Sequence, residues 1–391
     1  MNIAICAPVD IRGLARSAGQ DIHNIPPGLG STVTTPLIIE LLHRGHSVTV
    51  YTLSNALPKE TFYDWGDLRI FVGPSRQWGA ARTFFHQETA YLQRVITADS
   101  PSFVHAHWTY EFALGALGSG CRSLITIHDL PWKVLRFHPD KHRAVRLLMA
   151  YLVACKGKAF TAVSQDAATH FRRYFTPGAP ITVVPNFVDD AVFRLGRAPL
   201  PDKGGAFTFA TIIQGWGSKG KNATTALKAF SLLRREVPDS RLLMIGRGYE
   251  LGGPAERWAV AEKLASGVEF AGALDHPLML ERVHSDADAI VHPSLNESFS
   301  MAAVEGMALG KPVIGGSATP GIREVLALGD AGVLVNVTDP AAIAAAMKRL
   351  ACDSAYRFDL AQRGYERASA LYRSQVVVDR YESLYRQFGG A

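Results

Sequence analysis

Cysteine is scarce. Cys6, Cys121, Cys155 and Cys352 are the only four in 391 residues, and they are scattered. They form neither a CxxC pair nor a disulfide framework, so reduced core thiols in a cytosolic protein are expected. Long apolar runs are also missing. The longest, Leu147 to Cys155, is far short of the roughly 20 residues a membrane-spanning helix needs. The opening MNIAICAPVD has no basic leader and reads as a first strand, so no secretory signal is expected. Repeats of short period and low-complexity tracts are absent. What remains is 48% hydrophobic and 19% charged, the proportions of a globular protein with real cores. The length predicts two domains.

The formal charge of +6 is unevenly spread. Between Lys133 and Arg173 stand nine basic residues: Lys133, Arg136, Lys141, Arg143, Arg146, Lys156, Lys158, Arg172 and Arg173. Asp140 and Asp166 alone oppose them, a local excess of seven. Such a segment suits nucleic acid, an anionic membrane or an anionic substrate, and it is equally an ordinary solvated face.

Strands alternate with helices along the whole chain. Ile3–Val9 reads as a strand, Asp10–Pro27 as a polar loop, Thr35–Arg44 as a helix closed by Gly45, and Ser47–Leu53 as a strand. This βαβ opening predicts a doubly wound parallel sheet. Gly28 and Gly30 precede the first helix, where a backbone approaches a ligand closely or simply turns. One helix is expected from Trp78 to Ala98. His107 and His128 fall at strand ends, where parallel sheets place their ligands. His105 and His107, two apart, have no further ligands in a zinc pattern, so no metal site is expected. After a Gly-, Pro- and charge-rich stretch, Arg194–Gly205, the pattern restarts at Phe207. The loop Gln214–Asn222 holds Lys219 and Lys221 among glycines before a helix, a sensible phosphate cradle, although no Walker sequence is present. Asp286-Ala287-Asp288 imitates a metal-binding DxD but lies at a helix-to-strand junction, where a structural turn is expected.

The richest stretch is VHPSLNESFSMAAVEGMALG, Val291 to Gly310. It reads as a strand end, a turn, and a helix of small residues whose first turn Ser298 or Ser300 caps. A helix start favours an anion. Glu297 lies just before it and Glu305 eight residues on, up to about 12 Å away at helical rise. That suits a ligand with hydroxyls at both ends and a diphosphate between them. Spacing alone also allows two solvated carboxylates.

Pro293-Ser294-Leu295-Asn296-Glu297, Phe299, Glu305 and Met307-Ala308-Leu309-Gly310-Lys311-Pro312-Val313 resemble the E-x7-E motif of retaining GT-B glycosyltransferases of family GT4. Val184-Pro185-Asn186-Phe187-Val188-Asp189, Gly246-Arg247-Gly248 and the Gly321 turn resemble further segments of that family, in its order. This chain has Ser298-Phe299-Ser300 where the family usually has Gly-Phe-Gly, and Phe187 where it usually has Gly.

The resemblance implies an α/β GT-B fold of two Rossmann-like doubly wound domains facing a central cleft. Residues 1–193 would form the acceptor domain, with a last helix at about 374–391 packing back on it. Residues 194–205 would be a linker and 206–373 the nucleotide-sugar donor domain. It implies a retaining, metal-independent transfer of a hexose-type sugar to a glycan or lipid-linked acceptor in cell-surface polysaccharide or glycolipid biosynthesis. The nucleotide-diphosphate sugar would be a co-substrate, with no cofactor and no nucleic acid. His128 and Glu297 would hold the donor sugar and Glu305 the ribose. Gly28, Gly30, Lys219, Lys221, Ser298, Phe299 and Ser300 would complete the donor site. The family usually has Arg where Trp216 stands. Lys219 taking over that charge is favoured, against Lys221 and the helix start acting alone. An epimerase or phosphorylase on the same fold, or a non-catalytic glycan-binding subunit, are the alternatives. The expected location is the cytoplasm, with residues 133–173 touching the inner face of the membrane.

Overall fold

The computed structural model describes residues 1–175, 180–197 and 205–389. The chain divides into two compact units, Met1–Asn186 with Ser374–Ala391, and Phe187–Arg373. Most of the expected linker, residues 198–204, lies outside the described residues. Helix Asp190–Gly196, opened by Asp189 accepting from the Ala191 N–H, belongs to the second unit.

Among the described residues the first unit carries eight strands: β1 (Asn2–Cys6), β2 (Ser47–Ser54), β3 (Thr61–Asp64), β4 (Leu68–Pro74), β5 (Val104–His107), β6 (Ser123–Ile127), β7 (Phe160–Ala162) and β8 (Ile181–Val183). Their order is β3-β4-β2-β1-β5-β6-β7-β8. Every pair is parallel except β3 with β4. The parallel strands are covered on both faces, which is why Ile3–Cys6 and Ser123–Ile127 are buried throughout rather than at alternate residues.

The second unit has six strands among the described residues: β9 (Thr208–Ile212), β10 (Arg241–Ile245), β11 (Val268–Gly272), β12 (Ala289–His292), β13 (Val313–Gly316) and β14 (Val333–Val335). All are parallel, in the order β11-β10-β9-β12-β13-β14. Phe209, Phe230, Met244, Tyr249, Val291 and Ile343 anchor its core. Each sheet therefore reverses its direction of growth once, between β1 and β5 and between β9 and β12. At such a reversal the crossover helices lie on opposite faces, and the strand ends between them stay open to a ligand.

Capping fixes the helix starts. Ser164 accepts from the Ala167 N–H, Asp140 from Arg143, Asp339 from Ala341 and Asp353 from Tyr356. The last helix, Ser374–Gly389, packs on the first unit. There Arg44 pairs with Asp379 and Glu382, and Glu382 also meets His46.

Two local expectations need correction. Asp10–Pro27 is not all loop: Ile11–Ser17 is a helix, because Ile11, Leu14 and Ala15 fall on one buried face. The helix expected from Trp78 starts only at His86. Before it come a 3-10 turn, Ala80–Thr83, and two left-handed residues, Phe84 and Phe85, which break the hydrogen-bond ladder. Pro131–Phe137, after the strand end at His128, is a helix with proline in its first turn.

Gly28 and Gly30 have different reasons to be glycine. A Cβ on Gly28 would lie 1.9 Å from the Val9 carbonyl oxygen, so the loop lies directly on the chain leaving β1. Gly30 donates its N–H to the same carbonyl at 3.1 Å, sits at φ +75° and has open space around it. Gly28→Ala should therefore cost about 2–3 kcal/mol by overpacking. Gly30→Ala should cost roughly 1 kcal/mol, from backbone strain alone. Chemical denaturation of both variants tests this, and a larger loss in Gly30→Ala would contradict the packing.

Candidate functional site

The reversal point of the second unit gathers most of the expected residues. The loop after β9 brings Lys221, and the turn after β12 brings Glu297. Lys221 Nζ donates to Glu297 Oε1 at 2.7 Å. His292, the last residue of β12, places its Nε2 3.2 Å from the same oxygen. Burial raises the Glu297 carboxyl, but Lys221 and His292 outweigh it and bring it down to about 2. A carboxylate is held ionised here by two partners, one from the loop after β9 and one from the end of β12.

Backbone contacts set the turn that carries Glu297. Leu295 donates its N–H to Gly220 at 2.8 Å, which ties the two loops together. Asn222, left-handed at φ +54°, donates through Nδ2 to the carbonyls of Pro293 and Val337. Thr319 Oγ1 donates to the Ser294 carbonyl at 2.7 Å. A Cβ on Gly321 would lie 2.6 Å from the Ser298 carbonyl oxygen, so any side chain there would push the turn away.

Ser300, rather than Ser298, caps helix Met301–Ala308, accepting from the Ala303 N–H at 3.3 Å. The Phe299 ring is buried edge-on against Tyr372 at 5.5 Å. Glu305 is buried on the second turn of the helix, with Oε1 2.7 Å from His276 Nε2. The His276 pKa is raised, chiefly by that hydrogen bond. Lys219 is exposed and has no ion pair among the described residues. Trp216 lies in an aromatic cluster. Its ring packs on Tyr249 and Trp258 at 5.7 and 5.5 Å, and a Cβ on Gly248 would lie 2.6 Å from the Trp216 Cβ. Asp286 meets Arg282, and Asp288 caps the Thr208 N–H.

The first unit holds Gly28, Gly30 and His128. At its reversal point a cavity of about 290 Å³ is lined by Gly30, Ser31, Trp108, Tyr110, Glu111 and Arg146 among others. Arg146 donates to Glu111 Oε1 at 3.0 Å and lies over the Tyr110 ring at 4.7 Å. Glu111 Oε2 and Arg146 Nε are buried without hydrogen-bond partners. His128 follows β6, with its ring stacked on Trp108 at 4.2 Å. Its pKa is brought down to about 3 by burial, so the imidazole is neutral at neutral pH.

Sequence reasoning missed His292, His276, Asn222, Glu111 and, as a cavity residue, Arg146. Asn222 had a local signal, an asparagine before a helix in a glycine-rich loop. Glu111 and His276 had none, since their partners lie 35 and 29 residues away.

The Glu297 shift sets a stability window. Its folded pKa is depressed, so the stabilisation is complete above the ordinary value of 4.5 and is lost as pH falls through about 2. Glu297→Gln should be less stable than the parent by on the order of 2–3 kcal/mol at pH 7. The gap should shrink steadily below about pH 4.5. For His276 the sign is opposite: its contribution is complete below 6.5 and is lost as pH rises through the raised folded value. Urea titrations at several pH values check both, and a Glu297→Gln gap independent of pH would refute the first.

Comparison with known proteins agrees with this arrangement. The family described as glycosyl transferases group 1 matches residues 212–367. The family described as glycosyltransferase family 4 matches residues 30–192. An N-acetyl-alpha-D-glucosaminyl L-malate synthase from Bacillus anthracis is 25% identical over 378 residues, covering 92% of this chain and 94% of its own. A sucrose-phosphate synthase from Thermosynechococcus elongatus superposes with TM-score 0.75 at 20% identity, covering 99% and 98% of the two chains. An Anabaena protein, HepE, solved with UDP-glucose, gives TM-score 0.69 at 14% identity over 99% and 100%. With both units matched in order, the chain belongs to the family 4 glycosyltransferases and has their GT-B fold.

Proposed function

We propose that this glycosyltransferase moves a hexose-type sugar from a nucleotide-diphosphate sugar to a hydroxyl of a glycan or lipid-linked acceptor. The proposed transfer retains the anomeric configuration and needs no metal. The setting is cell-surface polysaccharide or glycolipid synthesis. The carrying observation is the Lys221–Glu297 pair across the β9/β12 reversal, with Glu305 in the helix that follows. In the transfer, the bond from the sugar's anomeric carbon to the diphosphate breaks and its electron pair leaves with the diphosphate. A new bond forms from that carbon to the acceptor oxygen, whose proton is released. The leaving charge needs fixed positive groups, and Lys221, with Lys219 beside it, supplies them. Glu297 and His128 take the sugar and Glu305 the ribose hydroxyls. HepE, with UDP-glucose bound on the same fold, supports a nucleotide-sugar donor. On the acceptor side, Glu111 Oε2 and Arg146 Nε offer one acceptor and one donor to a polyol in the first-unit cavity.

Titrations with UDP, GDP and ADP, and transfer assays with their sugars, test this reading. Glu305→Ala should lose nucleotide and donor affinity alike, by about tenfold or more. Glu297→Ala should keep or raise affinity for free nucleotide, because Lys221 loses its internal partner, yet impair transfer. Lys219→Ala should weaken nucleotide binding at low salt. Turnover should survive EDTA, and NMR of the product should show the donor's anomeric configuration. Equal loss of nucleotide affinity in both glutamate variants, or an inverted product, would overturn the assignment.

The lipid-linked acceptor is supported by one face of the first unit. Leu148 and Leu152, one turn apart on helix Lys141–Lys156, are 55% and 42% exposed; Trp132 and Tyr174, also exposed, face each other beside them. Exposed Arg136, Lys141, Lys156, Lys158 and Arg173 have no carboxylate partner among the described residues. Aromatic and leucine side chains within a cationic field fit the surface of an anionic bilayer. A second copy of the chain would set like charge against like. No described helix is long and apolar enough to cross a membrane. Vesicles containing anionic lipid should capture the protein at low salt, and Leu148→Ser with Leu152→Ser should reduce capture while sparing nucleotide affinity. Equal capture by neutral vesicles would rule the surface out.

A further inference from the structure

The first-unit cavity holds a pair of charges that is only half joined. Glu111 opens helix Glu111–Gly118 and is 5% exposed. Arg146 reaches it from helix Lys141–Lys156, donating through Nη2 to Oε1 at 3.0 Å. A guanidinium and a carboxylate commonly meet through two parallel hydrogen bonds. Here the second pair of atoms, Glu111 Oε2 and Arg146 Nε, is buried, and neither has a partner among the described residues. Aromatic rings hold Arg146 in place: its guanidinium carbon lies over Tyr110 at 4.7 Å and Phe85 at 5.6 Å. Trp108, also on the cavity wall, takes a left-handed backbone, φ +64°. Its indole stacks on His128, the end of a row of three buried histidines with His105 and His107. The half-joined pair thus borders a space of about 290 Å³ whose walls are already set. That is the lower end for ligand pockets, about 300 Å³.

We propose that Glu111 is a specificity-determining residue. By cancelling the charge of Arg146 it fits the cavity to a neutral ring with adjacent hydroxyls, a sugar or cyclitol, and bars acceptors that present a carboxylate or phosphate there. A hydroxyl both donates and accepts, so two neighbouring hydroxyls complete Oε2 and Nε together. A carboxylate or phosphate only accepts. It would serve Nε but set a second negative charge against Oε2. An ammonium only donates and would leave Nε unmet. The start of helix Glu111–Gly118 offers no further anion site, because the place its dipole favours already holds the Glu111 carboxylate. Nearby groups do not restore a positive field. Asp129 acts on both Arg146 and Glu111 and hydrogen-bonds Tyr110, which adds a second carboxyl. Arg143 is paired with Asp140. His142, brought below its ordinary range by desolvation and by Arg146, is neutral at neutral pH. The consequence for turnover rests on the acceptor reading of this cavity; its preference among rings does not.

The test is ligand-observed NMR on the full chain, with UDP added so that phosphate probes do not report the nucleotide site. Methyl glucoside and myo-inositol serve as neutral rings, glucuronate and a glucose phosphate as anionic ones. The parent should bind the neutral rings about tenfold or more tighter than the anionic ones, the worth of one hydrogen bond to a charged group. Glu111→Gln, which leaves Arg146 uncancelled, should lose affinity for the neutral rings and gain it for the anionic ones, each by about tenfold. A parent that prefers the anionic rings, or binds none of the four, overturns the proposal even if Glu111→Gln fails to fold. An unchanged preference in folded Glu111→Gln overturns it too, and reduces the pair to a structural contact. Transfer assays separate the two readings. A parent that selects neutral rings but transfers no sugar to them would sink the acceptor reading and leave the selectivity standing. Equal transfer to neutral and anionic rings would sink the selectivity alone.

Discussion

Parallel sheets expose their chemistry where their strand order reverses, and this constraint organises both units. A strand pair whose crossovers leave toward opposite faces has no helix across its carboxyl end. In the second unit the Lys221–Glu297 pair fills that place, between loops from β9 and β12. In the first unit the loop pressed on Val9 and the residues after β5 fill it, around the Arg146–Glu111 pair. Neither site needs special elements of its own. Each is the unavoidable gap in a doubly wound sheet, furnished with charge.

The charges are already matched within the chain. Glu297 has Lys221 and His292, Glu305 has His276, and Glu111 has Arg146. A carboxylate this far from water is stable only with such partners. A ligand entering the second-unit site therefore exchanges partners rather than meeting bare charge. On the proposed reading, a diphosphate would compete with Glu297 for Lys221, and ribose hydroxyls with His276 for Glu305. Binding would then couple to protonation of His276, whose raised pKa comes first from its hydrogen bond to Glu305.

In the first unit, precision comes from packing. The histidine row is locked from one end by Tyr385, in a helix 280 residues beyond His105 in the chain, and from the other by the strained Trp108. The last helix thus meets the histidine row through Tyr385, and the ion pairs of Arg44 and His46 hold that helix in place.

How much of this was legible depends on range. The alternation of strands and helices, the helix caps at Asp140, Ser164 and Asp339, and the E-x7-E stretch with its glycine-rich partner loop are written within a few residues each. Period, capping and turn chemistry are local, so the sequence by itself determined the fold class, the presence of two parallel sheets, and the stretch where the charge would gather. It did not reveal the break at Phe84–Phe85, the helix Ile11–Ser17, or whether Ser298 or Ser300 is the cap. Those depend on which side chains find cover. Nor could it tell that Lys221 meets Glu297, that His292 and His276 attend the two glutamates, that Trp216 turns into an aromatic cluster, or that Tyr385 reaches His105. Such pairings join residues from 5 to 280 positions apart. Only the tertiary structure decided them, because a contact across strands is set by register and packing, and neither is encoded in any short window of the chain.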